Sequence, residues 1–535
     1  MNNVLLKMQT AKTENSALSY ATTGSACLDY WSKCSTYQGR SQSDVERDMA
    51  KIFAEDEKSA LKIVFGMRMI TRKPNVDDEE IAEEVATGYG RRDEFYKAIV
   101  WLHNNKPELL YQNLHLIPVF GSWKDFFNTP LIDVLDRKSV FAEVRASLFG
   151  VKDTEMVKKF LPQIRSVKNL RSERDKKRVA WAKEFCEYCK LSPKTYRKLK
   201  SSGEAHIWQK QMTRNEWDKI NPNGIPGKAM FLHTARKGKD GKTVFERHDQ
   251  VGKILQWVQQ QKTVKFTGYP YELLQAAQKG YNLVQRLTYD KQFETLLEPM
   301  KNHKLGNVLA CLDTSGSMMK DVAQYDDYLA PKAGVTAYEV CVSMGLVFSS
   351  LNVGDFKDSV VEFNDTSRLV RLSGSFTEKL QQIKTKVNVP RGGTNFQSVI
   401  DLLVRIRKEN PNIPVSEYPE TILIVSDMQF NPVNGNTQTN YEAAMQKLHS
   451  VGLNDMRIIW WWVTGRGKDF PSQMNDKGVY MIGGFDASNI KSLMGLSSNP
   501  TSKDHNFNAK EKVEQTPMDG MNNWLSQPIF ELLKA

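Results

Sequence analysis

Two short apolar runs in the C-terminal half, each followed at once by an aspartate, constrain the fold more than any other feature of this sequence. Asn307–Leu312 precedes Asp313, and Thr421–Ser426 precedes Asp427. Uninterrupted apolar runs of this length, bounded by polar residues, are typical of buried parallel strands. Amphipathic helical patterns lie between such runs, and an alternation of strands and helices predicts a doubly wound parallel sheet.

The coarse pattern divides the 535 residues into three parts. Residues 1–40 are polar and predict an N-terminal arm. Residues 41–304 show short helical patterns with few strand signals, which favours an α-helical repeat domain of the HEAT type. Residues 305–535 form the predicted α/β domain. The fold class is therefore α plus α/β. The further strands that we predict in the last part are 359–363, 368–372, 457–463 and 479–482.

The net charge of +12 is concentrated in the middle of the chain. Residues 151–300 carry 31 lysines and arginines against 16 acidic residues, whereas the flanking parts are close to neutral. A localised basic zone is typical of a polyanion partner, here single-stranded or structured RNA. The alternative is a solvated helix face. The residues that we expect to contact RNA are Lys158, Lys159, Arg165, Lys168, Arg171, Arg174, Lys176, Lys177, Arg178, Lys194, Arg197, Lys198 and Lys200.

Aromatic residues are interleaved with these cations, and aromatic rings can stack on unpaired bases. The rings concerned are Phe160, Trp181, Tyr188, Tyr196, Trp208 and Trp217. For each ring taken singly, we expect a place in the hydrophobic core rather than a stacking role, since helix faces with this spacing are normally buried.

The most specific motif is Asp313-Thr314-Ser315-Gly316-Ser317, which reads D-x-S-x-S. In a doubly wound sheet, loops meet at the carboxyl ends of the strands, so we expect Thr394 and Asp427 to converge on this motif. The set offers two carboxylates and three hydroxyls, which suits Mg²⁺ or another hard divalent cation. Because hydroxyl ligands leave the ion under-neutralised, it could attract an acidic group of a protein partner.

Asp313, Ser315, Ser317, Thr394 and Asp427 resemble, in identity and order, the metal-ion-dependent adhesion site of von Willebrand factor A domains. A helical region followed by an A domain resembles the Ro ribonucleoprotein autoantigen family, which carries the TROVE module and has uncharacterised relatives in plants, bacteria and viruses.

Two segments of the helical region add to this resemblance. Ile117–Asp125 contains a Gly-x-Trp-x-Asp turn, and Leu191–Lys198 contains Pro-x-x-Tyr-Arg-Lys. The resemblance implies a ring of helical repeats that takes up single-stranded RNA ends and binds small structured RNAs on its rim.

These observations favour a non-catalytic RNA-binding scaffold with an Mg²⁺-dependent interaction site. The alternative is a phage or viral structural or assembly protein that acts as a metal-dependent protein-interaction module. We expect no enzyme, because the sequence has no phosphate-binding G-x-x-x-x-G-K-[ST] loop, no G-x-S-x-G elbow and no H-E-x-x-H motif.

The cysteines and the hydropathy bear on location. Six cysteines in 535 residues are too few for a disulfide scaffold, so we expect a reducing, cytoplasmic environment, or a virion if the protein is phage-encoded. Cys186 and Cys189 form a lone C-x-x-C to which we assign a structural role. No apolar run approaches membrane-spanning length, and Met1–Thr10 lacks the features of a signal peptide.

Overall fold

The computed structural model describes residues 10–37, 39–150, 154–165, 172–202, 207–301, 306–323, 334–433, 435, 437–465, 467–494 and 515–535. The chain divides into two compact units. The first unit combines residues 1–39 with 225–527, and the second combines residues 40–224 with 528–535. We call them the sheet unit and the helical unit.

The strands of the described chain all belong to the sheet unit. They are β1 (Thr10–Lys12), β2 (Leu18–Tyr20), β3 (Val308–Asp313), β4 (Asp321–Ala323), β5 (Val335–Thr336), β6 (Ser359–Phe363), β7 (Ser367–Arg371), β8 (Thr421–Ser426), β9 (Arg457–Trp462) and β10 (Val479–Gly483). Six of them form one sheet in the order β10-β9-β8-β3-β6-β7, and the others form two antiparallel pairs, β1 with β2 and β4 with β5.

The six-stranded sheet confirms the predicted parallel arrangement for five strands. The sixth strand, β7, runs antiparallel to β6 and corrects the prediction at that edge. Only residues 364–366 separate these two strands, and a parallel return requires a crossover of a dozen or more residues. The charged side chains of Arg368 and Arg371 are typical of a strand at a sheet edge.

The apolar sequences of the central strands reflect their burial. Every residue of β3, β6, β8, β9 and β10 is buried. Successive side chains of a strand point to opposite faces, so both faces of the sheet are covered. In β9 three consecutive tryptophans, Trp460, Trp461 and Trp462, are buried, and the first two donate their indole N–H groups to Ser472 Oγ at 3.0 Å and to the Gly484 carbonyl at 2.9 Å.

The sheet unit also contains helices on both sides of β3 in sequence. They are Ala26–Cys34, Gly227–Ala235, Val244–Arg247, Val251–Gln260, Pro270–Gln278, Leu283–Lys301, Ala337–Leu351, Phe376–Lys386, Gln397–Glu409, Asn440–His449, Asn489–Leu493 and Pro517–Leu525. Those between 225 and 301 belong to the sheet unit and pack against its other helices, although the sequence pattern groups them with the helical domain. Phe293 stacks on Phe376 at 4.6 Å, and Asp290 Oδ1 accepts the Thr377 N–H at 2.8 Å.

The helical unit is built from short helices. They are Gln42–Glu55, Glu57–Arg68, Glu79–Glu83, Arg92–Asn105, Pro107–Gln112, Ile117–Phe120, Leu131–Val134, Arg137–Phe149, Thr154–Phe160, Glu173–Tyr188, Pro193–Ser201 and Ile207–Thr213. Its core includes Phe65 against Phe95 and Phe120, while Phe530 from the C-terminal turn Pro528–Leu532 stacks on Phe120 at 5.8 Å.

Two general properties complete the description. Among the helices of the described residues, none has the length and apolarity required to cross a bilayer. The six cysteines are all free thiols, and Cys186 and Cys189 lie at the end of the helix Glu173–Tyr188 with the pKa of each thiol raised chiefly by burial.

Candidate metal centre

The site lies where the sheet reverses the direction of its connections. The neighbouring strands β3 and β8 are parallel, with Leu312 paired to Val425, so that Asp313 comes beside Ser426. From β3 the chain continues to β6 on one side, and from β8 it continues to β9 on the other. This is the topological switch point at which doubly wound sheets place their ligands. The Ser426 hydroxyl donates to Asp313 Oδ2.

The D-x-S-x-S loop after β3 is held tightly. The Ser315 N–H donates to Asp313 Oδ1 at 2.8 Å, and the Ser315 and Ser317 hydroxyls are 3.1 Å apart. The Thr314 N–H donates to the carbonyl of Phe363 in β6 at 2.9 Å. Asp313, Thr314 and Ser315 are buried, and Ser317 is half-buried. The Asp313 carboxylate is therefore buried at the bottom of the loop, and the Ser317 hydroxyl lies nearer to solvent.

The segment before Thr394 is bonded directly to this loop. The Arg391 N–H donates to the Thr314 carbonyl at 2.8 Å, and the Gly316 N–H donates to the Gly392 carbonyl at 3.3 Å. Gly392 has φ +76°, and a Cβ there would collide with the Asp365 carboxylate, so the turn requires glycine. Thr394 is buried behind it.

Asp427 opens the third loop, directly after β8. It is 5% exposed, and its side chain is hydrogen-bonded to the Ser317 hydroxyl and to the Gln429 N–H at 3.2 Å. The same loop reaches Thr394, because the Thr394 N–H donates to Asn431 Oδ1 at 3.2 Å and the Asn431 N–H donates to the Thr394 carbonyl at 2.9 Å. The three loops thus form one hydrogen-bonded assembly.

The site holds two buried carboxylates, Asp313 and Asp427, that interact electrostatically. Burial and then the charge of Asp427 raise the pKa of Asp313 to about 7, and burial raises the pKa of Asp427. Lys320 is the cation whose charge acts on Asp427 in the opposite direction. Two buried carboxylates that repel each other are stabilised by a positive ion between them.

The donor set fits a hard divalent cation. Asp313, Ser315, Ser317, Thr394 and Asp427 offer only oxygen, which Mg²⁺ prefers over nitrogen and sulfur. Within the described ranges, no group of three His, Cys, Asp or Glu side chains is placed to hold a metal ion. Asp427 is hydrogen-bonded to Ser317, so Asp313 is the one carboxylate placed to contact an ion directly, and a divalent ion held there would keep a net positive charge that attracts one more acidic group.

Sequence reasoning missed several side chains around this site. Ser426 was assigned only to a strand, and Asn431 and Gln429 carried no motif. The contact of the N-terminal turn was also missed. Thr13 Oγ1 donates to the Phe430 carbonyl at 2.8 Å, and the two residues are 417 positions apart in the sequence. Ser426 could have been found from its position at the carboxyl end of β8, whereas the other contacts leave no local signal.

The predicted RNA-binding residues fall into four groups. Lys168 and Arg171 lie outside the described residues. Lys194, Arg197 and Lys198 are exposed on the helix Pro193–Ser201. Three others make ion pairs: Lys158 with Glu155 at 2.9 Å, Lys176 with Glu173 at 3.0 Å, and Lys177 with Asp133 at 2.7 Å.

The remaining cations lie close enough to affect one another. Burial and the charges of Arg174 and Arg165 lower the pKa of Arg178, against the opposing charge of Asp175. Burial and the charge of Arg178 lower the pKa of Lys200 to about 8. We call Arg165, Arg174, Arg178 and Lys200 the basic cluster. Near it, Lys159 Nζ lies 5.1 Å from the Phe160 ring, and burial lowers the pKa of Lys159.

The aromatic rings interleaved with these cations are mostly core residues. Trp181, Tyr196, Trp208 and Trp217 are buried, while Tyr188 is 40% exposed. The Tyr196 hydroxyl donates to the Pro162 carbonyl at 2.7 Å. The Pro-x-x-Tyr-Arg-Lys segment thus has a buried anchor and exposed cations, and the charges rather than the rings face solvent.

The fold and site define a chain with a helical unit and an α/β unit that has an oxygen-lined site at its switch point. Residues 307–525 match a domain of unknown function, DUF7788, and this match includes all five candidate metal ligands. Residues 13–219 match a second domain of unknown function, DUF2828, which includes the basic cluster. The chain is also similar to the uncharacterized protein L728 of Acanthamoeba polyphaga mimivirus, with 23% identity over 530 residues, 92% of this chain and 86% of that protein.

Proposed function

We propose that this protein is a non-catalytic scaffold whose sheet unit is a von Willebrand factor A domain that binds an acidic ligand through Mg²⁺. The observation that carries the proposal is the hydrogen-bonded assembly of three loops around Asp313, with Ser317 bonded to Asp427. The strand order, with one antiparallel edge strand, supports the same assignment. When bound, the cation supplies the positive charge that attracts a carboxylate of a partner.

Each residue of the proposed metal centre has a distinct role. Asp313 supplies the buried negative charge, and Ser426 and the Ser315 N–H fix its two oxygens. Ser315, Ser317 and Thr394 supply neutral oxygens that leave the ion electrophilic. Asp427 acts through Ser317 and orients it.

The metal site is tested by the substitution Asp313→Asn. We expect Mg²⁺ binding by the wild-type protein and loss of at least about tenfold in affinity in the variant, since the buried charge is removed. Isothermal titration calorimetry with MgCl₂ measures this, and circular dichroism checks the fold. Asp401→Asn is the matched control, because Asp401 is an exposed partner of Lys447. Equal Mg²⁺ affinity in the wild type and Asp313→Asn would overturn the proposal.

A second proposed activity, RNA binding by the helical unit, is favoured by the basic cluster. Four cations held together with lowered pKa values in Arg178 and Lys200 are stabilised by a phosphate group, because an anion relieves their mutual repulsion. The resemblance to Ro proteins supports the same ligand class. For a protein with this RNA-binding activity we propose a cytoplasmic location.

Charge reversal at Arg165 and Arg178 tests RNA binding. We expect the double variant Arg165→Glu/Arg178→Glu to bind a single-stranded RNA of mixed sequence more weakly, and the slope of log affinity against log salt to fall by roughly two. Filter binding between about 50 and 200 mM salt measures both. Lys384→Glu/Lys408→Glu, at exposed positions of the sheet unit, has the same net charge and serves as control. Equal affinity of the two double variants would refute this activity.

The alternative proposal is a phage or viral structural or assembly factor, of which the uncharacterized mimivirus relative supports only the viral part. In that case the metal site would hold an acidic protein and the basic helices would need no RNA. The two proposals separate in the binding experiment above, since an assembly factor of this kind gives the same RNA affinity in both double variants.

A further inference from the structure

A cavity of about 400 Å³ in the sheet unit is lined by the end of the helix Gly227–Ala235, the turn that follows it and the short helix Val244–Arg247. This volume is within the range of roughly 300–1,000 Å³ that small-molecule sites occupy. Leu232 and Val244 form an apolar wall. The cations that line the cavity are Arg236, Lys237 and Arg247. An apolar wall beside charges of a single sign suits a small anion with an apolar body.

The guanidinium group of Arg247 is held in place by its neighbours. Arg247 Nε lies 2.8 Å from Asp240 Oδ2, and Arg247 Nη2 donates to the Lys242 carbonyl at 3.0 Å. The group also lies against Gly238, where a Cβ would collide with Arg247 Nη2. Glycine at this position therefore lets the arginine lie across the turn. A guanidinium that is already fixed binds an anion with little further loss of side-chain freedom.

The other two cations of the cavity have no acidic partner. Among the described residues, the side chains of Arg236 and Lys237 form no hydrogen bond or ion pair. The charge of Lys237 acts on Glu246, but Glu246 Oε2 accepts the Thr243 N–H at 2.6 Å and its Oε1 accepts a hydrogen bond from Asn282 Nδ2 at 3.3 Å. The cavity therefore keeps an excess of positive charge after the pairing of Arg247 with Asp240.

His233 completes the wall of the cavity. Its ring lies 5.8 Å from the ring of Phe245 in an edge arrangement, and burial lowers the pKa of His233. The imidazole is therefore neutral at pH 7 and adds a flat polar surface rather than a fourth charge. The next residue, Thr234, is buried, and its carbonyl accepts a hydrogen bond from Gln285 Nε2 at 2.9 Å. This contact fixes the end of the helix that carries the wall.

We propose that this cavity binds a small phosphate monoester with an apolar or aromatic body, of the size of a nucleoside monophosphate. A phosphate monoester carries a charge of about −1.5 to −2 at pH 7, which balances two unpaired cations better than a single carboxylate does. The planar groups of Arg236 and Arg247 match phosphate oxygens in pairs, and Lys237 adds a point charge. The site uses no residue of the candidate metal centre or of the basic cluster, so the inference goes beyond the proposed function.

The double substitution Arg236→Ala/Lys237→Ala tests the site in the full-length protein, with adenosine monophosphate as the probe. We expect the wild type to bind the probe and the variant to bind it at least about tenfold more weakly, because two charge-assisted contacts are lost. Isothermal titration calorimetry measures both affinities. Lys239→Ala/Lys242→Ala is the matched control, because it removes two exposed cations of the same turn that do not line the cavity. It should keep the wild-type affinity.

A second variant, Gly238→Ala, removes no charge. Its methyl group would displace the Arg247 guanidinium, which is the flexible end of an exposed side chain. We therefore expect weaker binding of adenosine monophosphate with an unchanged unfolding midpoint, measured by circular dichroism. Wild-type affinity in this variant would contradict the assigned role of Arg247.

Three results would overturn the inference as a whole. They are a wild type that binds no adenosine monophosphate, an equal loss of affinity in the two double variants, and adenosine binding as tightly as its monophosphate. Single-stranded RNA is titrated in parallel. If Arg236→Ala/Lys237→Ala weakens RNA binding and leaves the affinity for adenosine monophosphate unchanged, these cations belong to a nucleic-acid surface and the small-molecule site is refuted.

Discussion

Lys33 is a charged residue in an apolar part of the sheet unit, on the helix Ala26–Cys34. It is 2% exposed, and its ammonium group donates to the carbonyls of Gly467 at 2.9 Å and Asp469 at 2.7 Å. The same group lies 3.7 Å from the centre of the Phe470 ring. Burial lowers the pKa of Lys33 to about 8, while the charges of Asp469 and Asp29 act in the opposite direction.

The lowered pKa predicts a pH-dependent contribution to stability. Below pH 8 the lysine is protonated in both states and the cost of burying its charge is fully present. Between pH 8 and the unfolded value of 10.5 the unfolded chain binds more protons, so the free energy of unfolding rises with pH. Relative to Lys33→Met, the wild type should gain up to about 1.4 kcal/mol per pH unit in this window.

Urea unfolding of both proteins from pH 7 to pH 10 measures this difference. The comparison removes the contribution of other groups that titrate at alkaline pH, because they are present in both proteins. A difference between the two unfolding free energies that stays constant over this range would contradict the lowered pKa.

At the scale of elements, the helical unit is organised around Asp125, in the Gly-x-Trp-x-Asp turn. Asp125 is buried, and its carboxylate accepts hydrogen bonds from Arg68 Nε at 2.9 Å and from the Tyr96 hydroxyl at 2.7 Å. The Tyr96 oxygen accepts a hydrogen bond from Asn128 Nδ2 at 2.9 Å, and Asn128 Oδ1 accepts one from the Arg174 guanidinium at 2.6 Å. The motif therefore joins three helices and positions one arginine of the basic cluster, so its role is structural and extends to the proposed RNA surface.

Asp125→Asn should destabilise the helical unit by about 3–5 kcal/mol, because it leaves the buried Arg68 guanidinium without a charged partner. Glu83→Gln is the control. It removes one partner of the exposed Lys73–Glu83 pair and should leave the unfolding midpoint nearly unchanged. Urea unfolding followed by circular dichroism compares the two variants. A midpoint for Asp125→Asn as high as that of Glu83→Gln would show that the network adds nothing to stability.

At the scale of the whole molecule, the charge excess of the middle of the chain is divided between the two units. Residues 151–224 belong to the helical unit and carry the basic cluster, whereas residues 225–300 belong to the sheet unit. A second group of cations, Arg236, Lys237 and Arg247, lines a cavity of about 400 Å³ in the sheet unit. The excess positive charge of residues 151–300 is therefore shared between the helical unit and the sheet unit. The ranges 1–40, 41–304 and 305–535 remain predictions of domain organisation.

The sequence by itself determined the central strands, their parallel direction and the five oxygen donors of the candidate metal centre. These features are encoded locally. An apolar run such as Thr421–Ser426 is buried wherever it lies in a sheet, and Asp427 follows it by one residue. The switch-point rule then brings Asp313 and Asp427 together without knowledge of any side-chain contact. The proposed metal, its acidic ligand and the HEAT-type repeat go beyond what these patterns fix.

Only the tertiary structure decided which distant segments complete the site and the core. The Glu14 N–H donates to Gln429 Oε1 across more than 400 residues, and the helix Leu283–Lys301 packs against the helix Phe376–Lys386 through Phe293. The sequence around Glu14 is polar and short, so hydropathy carries no information about where it docks. The position of such a segment is set by hydrogen bonds to atoms such as Gln429 Oε1, and those atoms become neighbours only after the sheet has formed.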